Sequence, residues 1–190
     1  MITNSTRRFW ARAFSSLPST IGRLNPKRCL ALCRYFADEL KGRHVFIDSM
    51  MKVCESEESL DEQKQLVGDL CNLGQETGLH LHLIAHCKKP GADGESRPPT
   101  KYDIRGSSAI SDQSANIVTV WMNKAKRAET EKPVELQNRD ITSKPMHIVT
   151  VEKQRNGAFE GRAKLWFDEA SMRFCDDRLS PVEPYRMGEA

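Results

Sequence analysis

Four residues sit where their types and spacing could do chemistry. Asp48 closes the apolar run Val45-Phe46-Ile47, His86 closes "LHLHLIAH", and Lys153 and Arg155 flank Gln154 at the end of "MHIVTVEKQ". A carboxylate at the carboxyl end of a buried parallel strand lies at the edge where open α/β sheets bind ligands. Nucleotide hydrolases use an Asp there to hold or orient Mg²⁺, although a short strand also ends in Asp simply as a turn residue. His86 would share that edge and contact a phosphate or an attacking water; a strand-end histidine with purely local partners is the competing reading. Lys153 and Arg155 alternate onto one face of a strand tip, and Asn156-Gly157, a strong hairpin signal, follows at once. Such a pair could reach outward to an anion.

A second cluster lies between Cys87 and Gly106. Lys88, Lys89, Arg97, Lys101 and Arg105 stand against Asp93, Glu95 and Asp103. A loop of this kind can track a phosphodiester backbone, with Arg105-Gly106 permitting close backbone approach to a phosphate; a solvated surface loop has the same composition. His80 and His82 alternate on one strand and look like a zinc pair, but no Cys, Glu or Asp lies near them at ligand spacing, and Cys87 points away from His86. The expectation is that these histidines hold no metal. Trp121 and Trp166 fall in strands and read as core residues. No G-x-x-x-x-G-K-[ST] occurs, so the loop that would cradle a nucleotide's phosphates is missing and a complete ATPase site cannot be assembled from this sequence.

The elements that position these residues follow from periodicity and caps. Asn25-Pro26 is an N-cap with a first-turn proline, opening a helix over 26–40. "HVFID" is a short strand. Ser59 and Glu62 form a capping-box pattern, and Leu66, Leu70 and Leu73 trace the stripe of a second helix that ends near Gly78. "LHLHLIAH" is the next strand, residues 87–100 are a Gly/Pro-rich loop, and a short helix is expected around 107–113. "NIVTVWMN" is a strand, "AKRAETEKPVELQNRDITSKP" a polar and mobile loop, and "MHIVTVEKQ", "RAKLWF" and "MRFC" strands joined by turns. Alternating helices and strands predict an α/β domain around a parallel sheet.

Composition sets limits on function. The 190 residues fit one domain, with 38% hydrophobic residues and a mean hydropathy of -0.58. A net charge of +3 does not by itself indicate nucleic acid, so an electrostatic case must rest on local clusters. Six cysteines without a C-x-x-C pair, no secretory signal and no membrane-spanning run read as a reduced, cytoplasmic protein. Seven Lys and Arg precede the first acid, Asp38. That basic opening reads as the ragged start of a truncated domain, although a mitochondrial transit peptide has similar composition.

Four segments, in order, resemble the RecA-like hexameric replicative helicases of the DnaB, Twinkle and phage primase-helicase type. "HVFIDSMMK" looks like the Walker B strand, "GLHLHLIAHCKK" like the sensor strand, "KYDIRGSSAISDQSANIVTVWMNK" like the DNA-binding segment, and "EKQRNGAFEGRAKLWFDEASMRF" like the C-terminal finger motif. The resemblance spans 25–174. It implies an incomplete RecA-like P-loop NTPase core, with a central mostly parallel sheet, flanking helices and a C-terminal antiparallel hairpin. A basic arm over 1–24 would precede it and a disordered tail over 176–190 would follow. Asp48 matches the Walker B aspartate that holds Mg²⁺, and His86 the γ-phosphate sensor. Arg105 and Gly106 match the backbone contacts to single-stranded DNA, and Lys153 and Arg155 the pair that enters a neighbouring subunit's ATP site. The implied partners are single-stranded DNA and a hexamer-like ring or an intact helicase, with no membrane, and the implied cofactors are ATP and Mg²⁺. The function implied is that of the C-terminal segment of a 5′-to-3′ replicative helicase, inactive alone; the alternative is a non-catalytic DNA-binding or helicase-docking module.

Overall fold

A helix start is decided by which groups take its orphan N–H donors, and Asn25 supplies that acceptor here: its side chain accepts the Arg28 N–H at 3.0 Å, with Pro26 following in the first turn. Helix α1 (Pro26–Asp38) results, two residues shorter than expected. The computed structural model describes residues 24–56, 58–88, 97–168 and 171–177, so the expected basic arm and tail lie essentially outside the described residues. After α1 come β1 (His44–Asp48), α2 (Met50–Val53), α3 (Leu60–Thr77) and β2 (His80–Ile84). Gly78, at φ 71°, ends α3 in the left-handed conformation that glycine adopts without penalty. The expected capping box at its start does not form. Ser59 pairs instead with the Ser56 hydroxyl at 2.9 Å, and Glu62 reaches back to accept the Glu55 N–H at 2.6 Å, tying the α2–α3 turn rather than the helix cap.

Strands β1 and β2 pair in parallel, from His44 opposite His80 to Asp48 opposite Ile84. Their inward residues meet α1 and α3. Cys29, Cys33, Ile47, Met50, Val53, Leu66, Val67, Leu70 and Leu73 form the core there, with Val45, Leu81 and Leu83 packed against it. Alternation in the strands and i, i+3, i+4 spacing in α3 produce this layer from two different periods. Cys54 is fully buried, and desolvation pushes its thiol up to about 11. No helix among the described residues is long and apolar enough to cross a membrane.

The second half departs from expectation in three places. The strands are not mostly parallel: among the described residues only β1 and β2 pair that way, in a sheet of their own, whereas β3 (Asn116–Met122), β4 (His147–Gln154), β5 (Gly161–Asp168) and β6 (Arg173–Cys175) form a second, antiparallel sheet in chain order. A parallel pair needs a crossover such as α3, while the short links after β4 and β5 can only return the chain antiparallel. The polar stretch expected as a loop folds into α5 (Lys124–Thr130) and α6 (Arg139–Thr142). Asn123 and Asn138 cap these helices, and Glu129, nearly buried, accepts from Lys132 at 2.8 Å and the Asn138 N–H at 2.8 Å. Polar residues that satisfy one another carry no hydrophobic period, which is why the pattern missed them. Last, the Asn156-Gly157 turn is wider than a two-residue hairpin, because β4–β5 pairing ends at Val151 opposite Gly161. The β3–β4 register also shifts between Ile117 and Val118, leaving Glu152 as an extra residue.

Leu66→Ala should lower stability by about 2–5 kcal/mol, the usual cost of truncating a fully buried leucine. Leu60→Ala, at a position 49% exposed, should cost well under half of that. Chemical denaturation of both variants checks the assignment of the α1–α3 layer as the core.

Candidate functional site

Parallel pairing sends the carboxyl ends of β1 and β2 to the same edge, which puts Asp48 and His86 there together. Asp48 is exposed and ends β1; His86 is exposed and lies two residues past the end of β2 at Ile84. His86 is therefore in the segment after the strand rather than its last residue. That segment is held by a short antiparallel ladder. The His86 carbonyl accepts the Arg105 N–H at 2.8 Å, Cys87 bridges to Ile104, and the Lys88 N–H reaches the Asp103 carbonyl at 2.7 Å. The histidine and the basic loop are thus two sides of one backbone unit.

Within the loop, the cations differ in what they hold. Arg97 forks onto Asp103 at 3.1 and 3.3 Å, and Asp103 also accepts the Thr100 N–H at 2.8 Å and hydroxyl at 3.0 Å. Arg97, then the Thr100 N–H, hold this carboxyl at about 2, so it stays ionised and the loop stays braced until strongly acidic pH. Lys88 donates to the Tyr102 carbonyl at 3.3 Å. The Lys101 N–H is anchored on Glu152, the extra residue of β4, at 3.1 Å, and its ammonium lies 5.4 Å from the Tyr102 ring. Lys89 lies outside the described residues. Tyr102, 76% exposed between Lys101 and Arg105, was not singled out in the sequence; an aromatic between cations in a basic loop is the pattern that could have drawn attention to it.

At Gly106 the backbone makes a close approach within the chain itself. It has φ 112°, and a Cβ there would fall 2.3 Å from Oε1 of Gln63. Gln63 is fully buried on α3, accepts the Ser107 N–H at 3.0 Å and donates to the Ser56 carbonyl at 3.3 Å. The close approach is made to a side chain of the chain's own core, which locks the loop's end onto α3.

Lys153 and Arg155 do share a face, but both fold back rather than project. The Lys153 ammonium donates to the Ser111 and Asp112 carbonyls at 2.7 and 2.9 Å, and Arg155 to the Asp112 carbonyl at 3.0 Å. These are the unsatisfied carbonyls at the end of α4 (Ala109–Gln113), where cations are favourable. Of an ATP–Mg²⁺ site, the chain supplies a strand-end carboxylate of the type that holds the ion, without a glycine-rich cradle in its sequence. A groove lined by Leu30, Arg34, Asp69, Asn72, Leu73 and Glu76 includes none of the sequence-predicted site residues.

Gly106→Ala should destabilise the chain by more than about 1 kcal/mol, combining backbone strain with displacement of Gln63. Gly78→Ala, also at positive φ but with nothing within 4 Å, should carry the strain alone. Equal losses in chemical denaturation would remove the Gln63 contact as the reason for this glycine.

No protein-family model matches the sequence, and no curated protein does. Solved structures do share its fold. One, described as the structure of a DnaB-like replicative helicase and its interactions with primase, aligns with a TM-score of 0.58 at 17% identity, over 80% of this chain and 35% of that one. Another, described as an ATPase domain, aligns with a TM-score of 0.60 at 16% identity, over 80% of this chain and 51% of that one. The chain thus spans between a third and about half of these two structures, and what it shares with them is their fold.

Proposed function

We propose that this chain is part of a 5′-to-3′ replicative DNA helicase of the DnaB type, working in the cytoplasm on single-stranded DNA within a hexamer-like ring. The observation that carries the reading is the ladder between residues 86–88 and 103–105, with the Arg105 N–H on the His86 carbonyl at 2.8 Å. A change at a nucleotide's γ-phosphate felt by His86 would pass directly into the loop that contacts DNA. Asp48 would hold Mg²⁺, which supplies charge neutralisation on the phosphates when bound. Lys88, Lys89, Arg97, Lys101, Arg105 and Gly106 would meet the DNA backbone, and Tyr102 would stack on a base.

Lys153 and Arg155 would exchange their carbonyl partners on Ser111 and Asp112 for the more strongly charged γ-phosphate of a neighbouring subunit. An arginine supplied in this way contributes about 10³ to 10⁵ in rate. In a ring completed by a phosphate loop, Arg155→Ala should abolish turnover while nucleotide binding persists, and mixing it with Asp48→Ala should recover activity at mixed interfaces. Full turnover in the Arg155→Ala ring would leave the pair as a clamp on α4 alone.

The sequence's lack of G-x-x-x-x-G-K-[ST] favours a second reading, a non-catalytic DNA-binding or helicase-docking module. Under either reading the isolated chain should not hydrolyse ATP; DNA-stimulated turnover lost on Asp48→Ala would overturn this. Single-strand binding should be weak and salt-sensitive. Lys101→Ala and Arg105→Ala should each flatten the dependence of log K on log salt by about 0.7, one phosphate contact's share. Tyr102→Ala should weaken binding by about 1–3 kcal/mol with the slope unchanged. Fluorescence anisotropy across a salt series reads all three, and binding that ignores both salt and these substitutions would eliminate the loop as a DNA contact.

A further inference from the structure

Three of the chain's five histidines come together on the sheet face turned away from α1 and α3. His44 opens β1 and His80 opens β2, and the parallel register makes them direct partners. His82, two residues on, projects to the same side. One ring nitrogen from each of the three lies within 4.8 Å of the other two, and His44 Nδ1 stands 3.2 Å from His82 Nε2. His80 and His82 stack with centroids 4.4 Å apart, and the Phe46 ring lies flat against His82 at 4.1 Å and 6°.

We propose that His44, His80 and His82 form a binding site for a divalent transition-metal ion of the zinc type. The site goes beyond the helicase reading and does not rest on it: it sits at the amino-terminal ends of β1 and β2, opposite the edge that carries Asp48 and His86.

Several features of the cluster favour an ion. A tetrahedral ion with metal–nitrogen bonds of about 2.0–2.1 Å holds its ligand nitrogens about 3.4 Å apart, close to the His44–His82 separation. His44 and His80 are exposed, so small rotations close the remaining distances. Three protein nitrogens leave a fourth position open for water, and imidazole ligands suit zinc, copper and nickel rather than Mg²⁺ or Ca²⁺. Phe46, stacked flat on the His82 ring, fixes the plane of that ring. Sequence spacing alone could not reveal this, because the third ligand, His44, comes from the other strand, 36 residues before His80.

The test is equilibrium dialysis of the chelator-stripped chain against zinc chloride, with cobalt(II) absorption as a second readout. One ion per chain is expected, with a tetrahedral cobalt spectrum that lacks a thiolate charge-transfer band. His44→Gln and His82→Gln should each weaken binding at least about 10-fold, since loss of even an outer partner of a metal ligand costs ~10–100-fold. His147→Gln, outside the cluster, should leave binding unchanged. Undiminished binding in His44→Gln, or a thiolate band showing that the free cysteines hold the metal, would overturn the proposal. His44 is exposed, so His44→Gln with an unaltered circular-dichroism spectrum decides the matter even if His82→Gln fails to fold.

Discussion

The parallel register of β1 against β2 is the constraint on which the rest depends. It exists because α3 crosses over between the two strands and buries Leu66, Val67, Leu70 and Leu73 on their inner face. A one-residue slip of either strand would turn its own inward pair outward, Val45 and Ile47 on β1 or Leu81 and Leu83 on β2, and the core would hold the slip off. Two consequences follow at opposite ends of the same pair. At the carboxyl ends, Asp48 and the segment bearing His86 share an edge; at the amino ends, His44 and His80 become neighbours. A single packing decision therefore creates both the candidate nucleotide edge and the histidine cluster.

The loop that follows β2 is long, and a long loop fluctuates unless its backbone is anchored. Its near end is fixed by the ladder at 86–88, its middle by the Arg97–Asp103 fork and the Lys101 N–H on Glu152, and its far end by Gln63. Gln63 is an unusual anchor: a fully buried amide whose oxygen and nitrogen are both hydrogen-bonded. Burying such a group without partners costs several kcal/mol, so the geometry of the Gly106-Ser107 backbone is strongly selected. What this leaves outward is Tyr102, together with the cations around it.

Several of the cations near the candidate site hold partners within the chain. Lys153 and Arg155 donate to the terminal carbonyls of α4, Arg97 pairs with Asp103, and Lys88 holds the Tyr102 carbonyl. Each of these bonds is modest at a partly solvated site, of the order of a kcal/mol, so a multiply charged phosphate could displace a carbonyl partner. Counting cations in the sequence overstates the positive surface for that reason.

By itself, the sequence determined the elements whose signals are local. Asn25-Pro26 and Gly78 bound their helices, and the alternation in "HVFID", "NIVTVWMN" and "MHIVTVEKQ" identified strands, because caps and side-chain periods act over a few residues. It also singled out Asp48 and the 88–106 loop, since an apolar strand ending in a carboxylate and a run of cations are contiguous patterns. What required tertiary structure was every relation between distant segments. The antiparallel second sheet, the helices capped by Asn123 and Asn138, the seat of Gly106 on Gln63, the return of Lys153 and Arg155 to α4, and the meeting of His44 with His80 and His82 all join residues that carry no mutual pattern. Their pairing is set by which faces bury together, and that free energy belongs to the folded chain as a whole rather than to any stretch of it.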